Sequence, residues 1–224
     1  MNAFIKATTT AASAALAILL TIGAPSMSAA ATFVYVSEAE DATIGAYLMD
    51  TKTGTLTSIG KTDAGKTVMP MAVSPNKKFL YAVVRSQPTR VVTYAIDGKT
   101  GALTQKATAP LPDSMPYVST DRSGRFLFTA SYGGDKIAVS PIGADGLVTA
   151  EAIQVLPTGR NAHSILPDRS NRFVYSANLG ANQVLQFAFD AKTGELTALD
   201  PPAVKPEPGH GPRLRSRHAI CDRR

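Results

Sequence analysis

Short apolar runs alternate with turn residues along this chain from residue 32 onward, and they keep a period. Four segments read aromatic–apolar–aromatic: Phe33-Val34-Tyr35, Phe79-Leu80-Tyr81, Phe126-Leu127-Phe128 and Phe173-Val174-Tyr175. Their leading phenylalanines stand 46, 47 and 47 residues apart. A second marker follows each: DTKTGTLT at 50–57, DGKTGALT at 97–104, ADGLVT at 144–149 and DAKTGELT at 190–197. A third precedes three of them: SPNKKF at 74–79, TDRSGRF at 120–126 and PDRSNRF at 167–173. The apolar runs are rich in Val, Tyr, Phe and Thr, which suits a pleated strand. The intervening Asp-x-x-Gly-Arg and Thr-Gly steps suit tight turns, because Gly and Asn tolerate positive φ. Each unit divides into four strands, placed in the second unit near 70–74, 79–84, 91–96 and 103–108. No window beyond the first 30 residues carries a helical period.

Repeats of about 45 residues with four antiparallel strands predict an all-β fold, a β-propeller of four-stranded antiparallel blades. The blades fall near 32–66, 68–112, 115–158 and 162–204. A leucine-rich solenoid would need shorter repeats, and a β-sandwich would not repeat its sequence at fixed spacing. Phe33 follows so soon after the leader that the first unit is expected to lack its innermost strand.

Composition adds compartment and partner class. Residues 1–30 read as a signal peptide: Lys6 is the basic start, residues 11–24 are an apolar core short for a bilayer, and Ser28-Ala29-Ala30 offers small residues for cleavage near Ala30. An uncleaved anchor is the alternative; no later segment is apolar enough to cross a membrane. The expected location is periplasmic or secreted, with no stable membrane anchor. Cys221 is the single cysteine, so packing alone must hold the mature chain. The net charge of +6 resides mostly in Lys6 and in the arginine-rich last 14 residues. A nucleic-acid surface would spread its cations over the folded body, so no nucleic-acid partner is expected.

Three features together resemble the propeller lactonase family, which contains 6-phosphogluconolactonases and carboxymuconate cyclases. They are the Asp-x-x-Thr-Gly-x-Leu turns, the run PTGRNAHSILPDRSNRFVYSANLGANQVLQFAFDAKTGEL at 157–196, and PGHGPR at 208–213. The resemblance implies a seven-bladed ring, of which about four blades are present as an open arc over residues 31–210. The family pattern continues after Gly-Pro-Arg with a His and further strands, whereas this chain continues LRSRHAICDRR. The expectation is a chain or reading frame broken near Arg213, with 211–224 an aberrant basic tail; a genuine divergent tail is the alternative. An open arc with naked faces is expected to aggregate, to be proteolysed, or to self-associate through open blade edges.

His163 lies ten residues before Phe173, and the same offset in earlier units falls on Met69 and Pro116. All three therefore enter innermost strands and should ring one mouth of the channel. Arg213 would enter the next innermost strand, and Arg160 lies in the loop that leads to His163. An imidazole can move protons near neutral pH, and guanidinium groups can hold a carboxylate or phosphate and a developing oxyanion. By resemblance, the His of Asn-Ala-His-Ser and the Arg of Gly-Pro-Arg match family site positions. The expected catalytic residues are thus His163 and Arg213, with Arg160 binding a small-molecule lactone or carboxylate ligand. The other readings are a loop-capping His163 and a surface-charge Arg160. A further glutamate and arginine of the family site lie in later blades, so the site is expected to be incomplete. His210 reads as solvated, Asn178 and Asn182 as loop formers. Ser164 lacks a nucleophile elbow. No metal spacing or phosphate loop is present, so no metal and no cofactor are expected. A non-catalytic secreted scaffold is the competing function.

Overall fold

The computed structural model describes residues 31–205, which form four antiparallel sheets and no helix. The first sheet holds β1 (Thr32–Glu38), β2 (Thr43–Met49) and β3 (Leu56–Asp63). The second holds β4 (Val68–Val73), β5 (Phe79–Val84), β6 (Arg90–Ile96) and β7 (Leu103–Pro110). The third holds β8 (Tyr117–Thr120), β9 (Phe126–Ser131), β10 (Lys136–Pro141) and β11 (Gln154–Pro157). The fourth holds β12 (Ala162–Pro167), β13 (Phe173–Asn178), β14 (Gln183–Phe189) and β15 (Leu196–Val204). Each sheet is a simple meander, with every strand hydrogen-bonded to its neighbour in sequence. The inner strands β4, β8 and β12 face one another in turn, and among the described residues the first sheet holds three strands. The result is an open propeller arc. The leader and the tail beyond residue 205, with Arg213, His210 and Cys221, lie outside the described residues.

The turns follow from their aspartates. The Asp97 carboxylate accepts the backbone N–H of Lys99 at 2.8 Å and of Thr100 at 2.9 Å. This loop then needs a left-handed residue, which Gly101 supplies at φ +74°. Asp121 does the same for the turn before β9, accepting from the N–H groups of Ser123, Arg125 and Phe126 at 2.9, 2.7 and 3.0 Å.

Strand alternation divides the apolar side chains between two neighbours. On β5, Leu80, Ala82 and Val84 join Ile44 in the core between the first two sheets, while Tyr81 and Val83 join Leu127 and Val118 between the second and third. On β9, Phe126, Phe128 and Ala130 turn the other way, into the core shared with Val174, Phe187 and Phe189 of the fourth sheet. Burying one such large side chain stabilises the fold by roughly 1.5–3 kcal/mol.

One junction recurs between sheets. The Phe33 ring lies against Gly101, so that a Cβ added there would overlap it; Phe79 lies likewise on Gly146 and Phe126 on Gly194. The Tyr35 hydroxyl donates to the Gly101 carbonyl at 2.8 Å, and the Tyr81 hydroxyl to that of Gly146 at 3.0 Å. Arg125 adds a guanidinium bond to the Ala191 carbonyl in the next turn. The leading phenylalanine and the turn glycine of the next sheet, in Thr-Gly at 101 and 194 and in Asp-Gly at 146, are therefore two halves of one contact.

Candidate active site

The loop into β12 is built to project a side chain. Asn161 takes a left-handed conformation at φ +57°, and its N–H donates to the Asp135 carboxylate at 2.7 Å. Its side-chain amide donates to the Tyr132 carbonyl at 3.0 Å, tying the loop to the third blade. Ala162 then pairs with Asn178 and Ser164 with Ala177, so His163 is the extra residue of a β-bulge. A bulge re-aims the side chain it carries. The His163 imidazole points outward, exposed, against the Tyr132 ring at 5.9 Å between centroids and 82° between planes.

His163, Tyr132, Pro116, Tyr117 and Arg85 line an open cavity of about 320 Å³. Three blades contribute to it. Pro116 precedes the inner strand β8 as His163 enters β12. Arg85 directly follows β5 and Tyr132 directly follows β9, so the two hold equivalent positions. The half-buried Arg85 side chain is held by two contacts: its Nε donates to the Ser114 hydroxyl at 2.9 Å, and its Nη1 meets the Met69 sulfur at 2.9 Å. Among the described residues neither partner is a carboxylate, which leaves the guanidinium charge available to an anion. Burial pushes the Tyr117 hydroxyl up, so it remains a neutral donor at the cavity wall. Beside Ser114, Asp113 accepts the Ser114 N–H at 2.7 Å and the Ser131 hydroxyl at 3.1 Å, and pairs with Lys136 at 3.2 Å. Burial raises this carboxyl, but those bonds outweigh it and hold the group below the usual range. No group of three or more His, Cys, Asp or Glu among the described residues could hold a metal.

The three positions set by the offset of ten residues thus meet at one mouth: Pro116 and His163 line the cavity, and Met69 touches Arg85. Arg160 does not line it. It is exposed on the loop before β12, its carbonyl accepting the Ala181 N–H at 3.1 Å. Asn178 is buried and donates to the Gly159 carbonyl at 2.5 Å, a loop-forming role. Arg85 and Tyr132 were absent from the sequence reading. Both stand six residues after their leading phenylalanine, a spacing that would have found them.

A profile of the family described as lactonase, 7-bladed beta-propeller, matches residues 31–220. The chain belongs to the seven-bladed propeller lactonase family. The chain is 39% identical over 185 residues to the 6-phosphogluconolactonase of Erwinia tasmaniensis, covering 83% of this chain and 54% of that protein. It is 40% identical over 185 residues to the 6-phosphogluconolactonase of Pectobacterium carotovorum, again over 83% of this chain and 54% of that one. The chain spans about half the length of these relatives. In fold it resembles the periplasmic gluconolactonase of Pseudomonas aeruginosa, with a TM-score of 0.71 at 24% identity over 82% of this chain and 57% of that one.

Proposed function

We propose that this chain opens the ring ester of a small sugar-acid lactone, with His163 as the proton carrier. The observation that carries the reading is the cavity that joins His163 to an Arg85 guanidinium with no carboxylate among its described partners. In the reaction His163 takes a proton from water as the water oxygen bonds to the lactone carbonyl carbon. The ring C–O bond then breaks, and the imidazolium returns a proton to the departing alkoxide. Arg85 holds the substrate anion or the developing oxyanion. Arg213, matched through its Gly-Pro-Arg motif, is the second catalytic cation. Arg160, on the outer loop, binds the carboxylate of the approaching ligand.

The leader supports export to the periplasm or beyond. An exported chain meets unphosphorylated lactones, because phosphorylated sugar intermediates are cytosolic, so gluconolactone is the substrate to try first.

The test is the rate of gluconolactone hydrolysis above the spontaneous rate, for the chain and for His163→Ala. Loss of the enzymatic rate in the folded variant is expected. Equal rates would remove the catalytic role and leave the scaffold reading.

A further inference from the structure

Met69 and His163 hold the same place in different blades, and the backbone treats them alike. Thr67 stands two residues before Met69 at φ +59°, as Asn161 stands two before His163 at φ +57°. Val68 pairs with Val84 and Met71 with Ala82, so Met69 and Pro70 stand opposite Val83 alone, in a bulge of β4. The bulge aims the Met69 side chain at the mouth, as that of β12 aims His163. Met69 is 43% exposed. Exposure here belongs to the mouth and not to an end of the arc. Pro116 holds the same place in the third blade, at the start of β8 between β4 and β12, and it still lines the open cavity.

Two hydrogen bonds pin the Arg85 loop on the segment before Met69. The Arg85 N–H donates to the Thr67 carbonyl at 3.2 Å, and the Ser86 hydroxyl to that of Lys66 at 2.9 Å. The guanidinium Nη1 then meets the Met69 sulfur at 2.9 Å. A thioether is a weak acceptor, so its hold on the cation is slight. Its sulfur is also the atom that oxidants attack. Among the described methionines Met69 is the exposed one; Met49 and Met71 are half-buried, and Met115 is fully buried.

We propose that Met69 is a modification site, oxidised by hydrogen peroxide to the sulfoxide, whose oxygen takes the Arg85 guanidinium away from anions at the mouth. A sulfur lone pair attacks one peroxide oxygen, and the S–O bond forms as the O–O bond breaks. The displaced hydroxide takes the proton of the transferred oxygen and leaves as water. Sulfur loses two electrons and the peroxide gains them. The sulfoxide oxygen is a strong acceptor in place of a weak one, and it arises beside Nη1. An incoming carboxylate or phosphate must therefore displace it. Reduction by a methionine sulfoxide reductase, with a thiol as reductant, returns the thioether. The effect on substrate rests on the Arg85 role proposed above; the oxidation and the new Arg85 contact do not.

Limited treatment of the purified chain with hydrogen peroxide, followed by peptide mass spectrometry, tests the site. Met69 should gain one oxygen before Met49, Met71 and Met115. The oxidised chain, shown by circular dichroism to be folded, should react with phenylglyoxal at Arg85 about tenfold more slowly than the untreated chain. The reductase should restore that rate. KM for a phosphorylated sugar lactone should rise about tenfold on oxidation, with little change for gluconolactone. In Met69→Leu, peroxide should alter neither the Arg85 reaction nor KM. Oxidation of Met49 or Met71 ahead of Met69, or an Arg85 reaction unchanged by the sulfoxide, would overturn the proposal. A slowed Arg85 reaction with an unchanged KM would overturn the hold of Arg85 on substrate anions. A slowed Arg85 reaction in a chain that hydrolyses no lactone would uphold the modification site and overturn the lactonase reading alone.

Discussion

The Tyr132 ring stands edge-on to the His163 imidazole at 5.9 Å, although the two residues belong to different blades. Asn161 joins them, because its amide holds the Tyr132 carbonyl two residues before His163. Tyr132 therefore sets the direction of the imidazole without needing its own hydroxyl. Tyr132→Ala is expected to lower kcat for gluconolactone about tenfold with little change in KM, while Tyr132→Phe keeps near-full activity. Steady-state kinetics on both variants decides the point; equal losses would place the role in the hydroxyl.

Arg85 is held by a hydroxyl and a thioether, so its charge is the one the cavity can offer to an anion. Removing a charge-assisted bond costs roughly 1.5–3 kcal/mol. Arg85→Ala should accordingly raise KM for a carboxylate-bearing or phosphorylated lactone by about 10- to 100-fold, and for neutral gluconolactone by much less. A uniform increase across both substrates would mean that Arg85 shapes the cavity and reads no charge.

Gly101 and Gly54 both take a left-handed conformation, at φ +74° and +76°, but a Cβ at Gly101 would strike the Phe33 ring, whereas one at Gly54 would meet no described residue within 4 Å. Valine at either position meets the backbone penalty of roughly 1–2 kcal/mol. At Gly101 it also drives a side chain into the Phe33 ring, and overpacking of this kind adds roughly 1–3 kcal/mol. Gly101→Val should therefore melt well below Gly54→Val when both are compared by thermal unfolding.

Asp121 is fully buried and bound by the turn N–H groups, the Ser123 hydroxyl at 2.5 Å and the Asn171 amide of the next blade at 2.9 Å. Burial alone would raise its carboxyl; the bonds from Ser123, Asn171 and the turn prevail and hold it below its ordinary 3.8. A depressed folded-state value means that the unfolded chain binds the proton more readily. The contribution is thus present above about pH 4 and is lost as the pH falls through the folded-state value. Acid unfolding should show this, and Asp121→Asn should lower stability at pH 7 by roughly 2–3 kcal/mol while flattening the acid limb.

The periodicity of Phe33, Phe79, Phe126 and Phe173 was enough to expect propeller blades, and it placed the second sheet to within two residues at most boundaries. The offset of ten residues from Phe173 placed His163 at the mouth, because the position within a repeat is also the height within a blade. Arg85 was legible only as a repeat position, six residues after Phe79, and not as a neighbour of His163. It sits in an irregular loop, distant in sequence from His163, and only the curvature of the arc brings the two together. The same geometry separates Arg160 from the cavity despite its nearness in sequence, since the left-handed Asn161 redirects the chain between Arg160 and His163. The bulge at His163 was equally hidden, because it depends on how β12 pairs with β13.

The contact between an aromatic pair and a Thr-Gly turn has a consequence for how such chains change over evolutionary time. Each interface is written in a few residues on either side, and the same phenylalanine-on-glycine contact serves three successive pairs of sheets. Duplicating or deleting one 47-residue stretch of gene would leave every remaining joint chemically intact and alter only the number of units around the axis. Ring size is thus set by how many copies of a word are strung together, while the grammar that joins them stays constant.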